Sequence, residues 1–185
     1  MDAALTAQAL ARFGAAVVVG ALVALSLGIY GTVHEATGRS LVTLLFSNTL
    51  RLKVWLATLV VVLAVAEFMT GLRMKGRLGK KRGPRWVPRA HRLTGTLAFL
   101  FAIPVAYHCL WALGFHWSEG PRIFVHGLAG CLFFGALATK VVSVRGPGMP
   151  SWALPVLGGT LFTTLVAVWA TSAFWFVTKF GVPGL

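Results

Sequence analysis

The sequence predicts an all-α membrane protein, a polytopic bundle of five transmembrane helices, and three observations predict it. Of the 185 residues, 57% are hydrophobic and only 11% are charged, whereas soluble domains carry about 25% charged residues. Five apolar runs are close to or longer than the roughly 20 helical residues that cross the hydrocarbon core of a bilayer. Nine of the 17 basic residues lie between the second and third runs, from Arg73 to Arg92.

The five runs account for most of the chain, so we take residues 1–185 as a single transmembrane helical domain. The first run follows Arg12. It is long for the apolar part of a signal peptide, and no small-x-small cleavage site precedes Glu35. The second run contains Glu67 and ends at the basic segment, where glycines and prolines interrupt helical periodicity. The predicted spans are 13–30, 52–72, 93–115, 123–144 and 152–177.

Short turns separate the last three spans. The segment HWSEGP joins spans three and four, and RGPGMP joins spans four and five. Span three contains Pro104, which membrane helices tolerate when neighbouring groups satisfy the freed carbonyl. Cys109 and Cys131 lie inside apolar runs, so we interpret them as small buried hydrophobic residues rather than as a disulfide.

The distribution of charge predicts the orientation. The formal net charge is +13, but it is concentrated in one loop between apolar spans, so no nucleic-acid partner is expected. The positive-inside rule places this loop in the cytoplasm. The N-terminus is then inside and the C-terminus outside, with twelve basic residues inside and five outside. The predicted location is the inner or plasma membrane of the cell.

Two histidines lie within predicted spans at similar depth. His108 is seven residues before the end of span three at Phe115, about 10 Å deep at ~1.5 Å per residue. His126 is four residues after Arg122, about 6 Å deep on the same rise. A histidine surrounded by hydrocarbon is costly and marks a functional site. Two on consecutive antiparallel helices suggest a shared ligand.

This arrangement predicts that His108 and His126 are the axial ligands of a haem b iron. Two imidazoles fill both axial positions, which suits electron transfer, and axial ligands are among the main determinants of haem potential. Gly130 and Phe133 follow His126 at helical spacing. Gly130 would leave room for the flat haem macrocycle, and the Phe133 ring would contact it. One haem is therefore expected, in the outer half of the bundle.

Two alternatives for this histidine pair stay open: helix packing with hydrogen bonds to carbonyls, and a copper or zinc site that also uses His34 or His116. His91 is predicted at the inner surface, either as a polar residue of the basic cap or as a ligand of a second haem. Glu67 and Lys140 need partners because neither charge is stable alone in hydrocarbon. A Glu67–Lys140 or Glu67–His91 pair is expected.

The stretch HRLTG…PVAYHCLWALG…VHGLAG resembles membrane b-type cytochromes, the broad group of ferric reductases and transmembrane ascorbate reductases. It also resembles small bacterial membrane proteins with this histidine pattern. The resemblance covers spans three and four, and it implies that His108 and His126 bind haem. Proteins of that group usually have two complete histidine pairs, one per leaflet, whereas here only the outer pair is complete.

The expected function is that of a b-type cytochrome-like electron-transfer subunit, alone or within an oxidoreductase. It would pass electrons between the quinone pool and a redox partner protein on the outer side, as part of a larger complex or a homo-oligomer in the lipid bilayer. The alternative is a non-redox membrane anchor subunit or a small transporter, in which the histidines and Glu67 serve structure or proton coupling.

Overall fold

A computed structural model describes residues 3–39, 43, 46–78 and 83–184. Its described residues form helices and no strand. Two π-helical segments adjoin the α-helices. His108–Leu113 continues the third helix, and Ala170–Phe174 joins the fifth to the sixth. The α-helices are α1 (Ala3–Val33), α2 (Thr49–Met74), α3 (Val87–Tyr107), α4 (Pro121–Arg145), α5 (Ala153–Trp169) and α6 (Trp175–Phe180).

The predicted all-α class with five spans is confirmed. Within the described residues, five helices are long and apolar enough to cross a membrane: Leu5–Val33, Thr49–Met74, Val87–Leu113, Pro121–Arg145 and Ala153–Phe180. The largest difference from the predicted bounds is at α1, which begins at Ala3 rather than at residue 13. The segment before Arg12 is less apolar, but its alanines and leucines are strong helix formers, so the helix extends through it.

Small residues let helices α1 and α4 approach closely. A Cβ atom on Gly135 would lie 2.7 Å from the carbonyl oxygen of Gly20, and Thr139 packs against the same glycine. Helices in membranes commonly associate through small residues of this kind. The other principal helix contacts join α2 to α3, α4 to α5 and α2 to α5.

The bundle has two chemically different ends. At the basic end, Arg12 donates a 3.0 Å hydrogen bond to the carbonyl of Pro147, and the connection from α2 to α3 carries the basic segment. At the opposite end, Trp55 near the start of α2 donates a 3.2 Å hydrogen bond to the carbonyl of Pro183. This second end, which includes the 114–120 turn, is the cavity end.

Local geometry changes where α3 meets the cavity end. Pro104 lies inside α3, and its carbonyl accepts from the backbone N–H of His108, where the π-helical segment begins. A π-helical turn has a wider hydrogen-bond spacing than an α-helix and frequently occurs at functional sites. The second π-helical segment, Ala170–Phe174, follows α5 and also lies at the cavity end.

Candidate functional site: an apolar cavity facing His126

An apolar cavity of about 410 Å³ lies between α2, α3, α4 and α5 at the cavity end. This volume is in the range of small-molecule and cofactor sites, which are mostly apolar with a few placed polar groups. Both π-helical segments contribute to its wall. Its aromatic wall residues include Phe115, Trp117, Phe133, Phe134, Trp169, Trp175 and Phe176, and its polar ones Lys53, His116, Arg122, His126, Thr171 and Ser172.

His126 is held in one tautomer on the cavity wall. Its Nδ1 lies 3.2 Å from the carbonyl oxygen of Val168 and 3.2 Å from Thr171 Oγ1. The Thr171 hydroxyl already donates to Ala167, and a carbonyl can only accept, so Nδ1 carries the proton. Nε2 is therefore the nitrogen with the lone pair. A metal-ligating histidine usually has this arrangement, with its other ring nitrogen bonded to a carbonyl.

Cys109 is the α3-side residue that His126 meets across the cavity. Its Sγ lies 4.0 Å from His126 Nε2, and Lys53 lines the same cavity. Cys109 lines the cavity and is partly accessible rather than fully buried. The interpretation of Cys109 as a simple buried hydrophobic residue is incomplete, because its sulfur meets a histidine on the cavity wall.

His108 lies one residue earlier on the same turn and is buried, with 1% of its surface exposed. Its Nδ1 is 2.7 Å from the carbonyl oxygen of Pro104, so this nitrogen also carries the proton. Its Nε2 is buried and has no hydrogen-bond partner among the described residues. The described wall of the cavity includes Cys109 but not His108. The predicted sharing of one ligand by His108 and His126 stays a prediction.

The other predicted cofactor contacts on α4 line the cavity. Gly130 and Phe133 both belong to its wall. A Cβ atom on Gly130 would meet nothing within 4 Å, so open space lies one turn from His126. Gly127, also on the wall, is in contact with the ring of Trp117. The space is therefore flanked by glycine on one helix and by aromatic rings around it.

Two cations line this cavity, each near the start of its helix. Lys53 lies about one turn after the start of α2, and Arg122 lies in the first turn of α4. Arg122 donates a 2.6 Å hydrogen bond to the carbonyl of Thr171, and its guanidinium lies 3.9 Å from the ring centre of Trp175. These contacts hold a positive charge at the edge of an apolar space, where an anionic group of a ligand would be stabilised.

His91 lies at the basic end, in a charged cluster. Lys140 Nζ is 3.0 Å from Glu67 Oε1, and His91 Nε2 is 3.5 Å from the same oxygen. His91 Nδ1 is also 3.0 Å from Thr70 Oγ1 and 3.0 Å from the backbone oxygen of Glu67. Both expected pairings of Glu67 are found. Both ring nitrogens of His91 already face polar partners. This geometry therefore does not support the alternative in which His91 is a ligand of a second haem.

The histidines of the copper or zinc alternative have other neighbours. His34 stacks between Tyr30 and Trp111, with ring centres 4.9 and 4.6 Å away. His116 Nε2 lies 2.8 Å from the carbonyl oxygen of Leu113, and its Nδ1 lies 3.3 Å from Glu119. Among the described residues, no three His, Cys, Asp or Glu side chains come together as a metal-ion site.

Fold and cavity together define a multi-pass helical membrane protein with an apolar cavity at one end of its helix bundle. The chain belongs to the family of unknown function DUF6529, whose model matches residues 13–184. No curated protein matches the chain, and no solved structure does.

Proposed function

We propose that the protein is a b-type cytochrome-like electron-transfer subunit that binds one haem b in the cavity, with His126 as an axial ligand. The observation that carries the proposal is the state of the His126 ring. Its Nδ1 is fixed on Val168 and Thr171, while its Nε2 faces Cys109 Sγ, 4.0 Å away, on the wall of an apolar cavity of about 410 Å³. An imidazole in this state is ready to bind a metal.

Other features of the cavity suit this ligand. A haem has a flat apolar body, and Gly130 leaves open space beside His126 for it. A haem also carries two carboxylates, and Lys53 and Arg122 supply positive charge at the edge of the cavity. When bound, the haem iron supplies one-electron redox chemistry, at a potential that axial ligands, hydrogen bonds and burial determine.

The chain's own residues orient and enclose the group. Val168 and Thr171 hold the His126 ring. Trp169, whose Nε1 donates a 3.1 Å hydrogen bond to Thr58, closes the wall between α5 and α2. A largely apolar wall excludes water and so raises the electrostatic effect of each polar group that faces the iron.

The proposed setting is the inner or plasma membrane, with the basic end in the cytoplasm under the positive-inside rule. The cavity end then faces outward, and electrons pass between the quinone pool and a redox partner protein on that side. The protein works within a larger complex or a homo-oligomer. The proposed haem lies near one membrane surface, and the described residues form no second site of this kind. We therefore favour electron transfer at the outer surface over electron transfer across the whole bilayer.

The proposal is tested by expressing the protein with full haem supply and measuring haem per chain and the reduced spectrum. Substitution of His126 by alanine removes the ligand, so we expect haem affinity to fall by at least about tenfold, the lower end of what losing even an outer-shell partner costs. The matched control is His116→Ala. His116 also lines the cavity, but its nitrogens face Leu113 and Glu119, so haem content should be retained.

Equal haem content in the two variants would contradict the role of His126. A wild-type protein without any haem would contradict the electron-transfer function. The alternative function, a non-redox membrane anchor or small transporter, would then be favoured. The Glu67–Lys140–His91 cluster would be its candidate site for proton coupling.

A further inference from the structure

We infer that Cys109, rather than His108, is the group that faces His126 across the bound metal, so that the iron has one sulfur and one imidazole ligand. This inference rests on the proposed function, since it names the second ligand of the same site. It departs from the two-histidine arrangement that the sequence pattern suggests.

The distance between the two side chains carries the inference. Cys109 Sγ and His126 Nε2 are 4.0 Å apart, and both residues line the cavity. Metal–thiolate bonds to zinc are about 2.3 Å and metal–imidazole bonds about 2.0 to 2.1 Å, and iron has similar radii. If one metal bound both groups in line, these bond lengths would put the two donor atoms about 4.3 Å apart. The observed spacing therefore needs only a few tenths of an ångström of adjustment.

His108 is held away from this position. Its ring is tied to Pro104 through Nδ1 at 2.7 Å and lies edge-on to Tyr107, with ring centres 5.6 Å apart. His108 is the first residue of the π-helical segment, and the next residue, Cys109, lines the cavity. His108 would have to break its hydrogen bond and leave a buried site, in which 1% of its surface is exposed, to face His126.

Charge also favours Cys109 over the second cysteine of the cavity. A thiolate is the form that binds metals, and an isolated negative charge in an apolar site is costly. Lys53, which lines the same cavity as Cys109, supplies a positive charge there that can compensate it. Cys131 also lines the cavity but is buried against the backbone of Gly28.

A sulfur ligand has a consequence that two imidazoles do not. Thiolate ligation pushes electron density onto the iron, so it stabilises the ferric state and lowers the midpoint potential relative to two neutral imidazoles. The identity of the ligand can therefore be read from the spectrum and the potential, independently of any activity.

The experiment compares the purified wild type with Cys109→His, Cys109→Ala and His108→Ala, all expressed with full haem supply. Ferric EPR of the wild type should have the narrow g spread of thiolate ligation rather than the wide spread of two imidazoles. Cys109→His should retain a low-spin haem, with a wide g spread and a higher midpoint potential. Cys109→Ala should lose the low-spin signal. His108→Ala, at a residue outside the described wall of the cavity, should keep the wild-type signature.

A second measurement does not depend on how the variants fold. In the wild-type protein, a membrane-permeant maleimide should react with Cys109 more than about tenfold faster without haem than with haem bound, because a ligating sulfur is not free to react.

The inference is overturned, with the proposed function intact, if the wild-type EPR is that of two imidazoles and His108→Ala alone removes it. A wild type that binds no haem overturns both. Haem that binds without protecting Cys109 also overturns the inference.

Discussion

The two ends of this bundle each hold a histidine beside other polar groups, but the two sites are built differently. At the basic end, His91 shares the carboxylate of Glu67 with Lys140, and opposite charges satisfy one another. At the cavity end, His126 has one nitrogen fixed on α5, while the other faces the Cys109 sulfur on the wall of an apolar space. A histidine in a membrane helix is therefore informative only once the partners of both ring nitrogens are known.

The comparison assumes that the two ends of the bundle face opposite sides of the membrane. Thiol labelling of single cysteines tests that assumption. Single cysteines replace Arg77 at the basic end and Ser118 at the cavity end, both exposed, in a chain whose native cysteines are alanines. An impermeant thiol reagent added outside intact cells should label the cysteine at 118 and not the one at 77. The reverse pattern would mean that the basic segment is outside and that the orientation is inverted.

A change confined to the cavity end should sharpen the difference between the ends. A Cβ atom on Gly31 would lie 2.6 Å from Cγ of Phe115, a ring in the cavity wall. Gly31→Val should therefore displace Phe115, at a cost of about 1–3 kcal/mol for overpacking, and reduce haem content severalfold. Gly14→Val on the same helix is the control, because a Cβ atom there meets nothing within 4 Å. Equal haem loss in both variants would mean that α1 does not shape the cavity locally.

The smallest expected effect concerns the basic end. Lys140→Met leaves Glu67 with one partner fewer, in a site where both side chains are about one-fifth exposed. We expect a loss of about 1–3 kcal/mol, between the values for surface and buried pairs. Glu67→Gln together with Lys140→Met should lose less than the two single changes combined, and Lys179→Met, at an exposed lysine, should be near neutral. Additive losses in unfolding experiments in detergent would contradict the pairing.

The sequence predicts the fold well and the site in part, for physical reasons. Apolar run length determines which segments can span a membrane, so the five helices were predictable, whereas α1 also extends through residues whose helix propensity outweighs their polarity. Gly130 and Phe133 were predictable because helical spacing places them on the face of His126.

The role of Cys109 was not predictable in the same way. Periodicity tells which residues share a helix face, but it does not tell which face meets the cavity, and the π-helical segment changes the angular spacing after Tyr107. Thr171 and Val168, which fix the His126 ring, are more than 40 residues away along the chain. No local pattern connects them to a histidine on another helix. A lysine early in α2 was the available signal, since an apolar helix seldom carries a charge without a partner.

Haem stoichiometry, measured in the purified wild type and in His91→Ala, tests the central claim most directly. The account predicts one haem per chain, with Soret and α bands on reduction, and the same content in His91→Ala because His91 is occupied by Glu67 and Thr70. Two haems per chain in the wild type, or half the haem in His91→Ala, would contradict the single site. A purified wild type with no Soret band would contradict the account altogether.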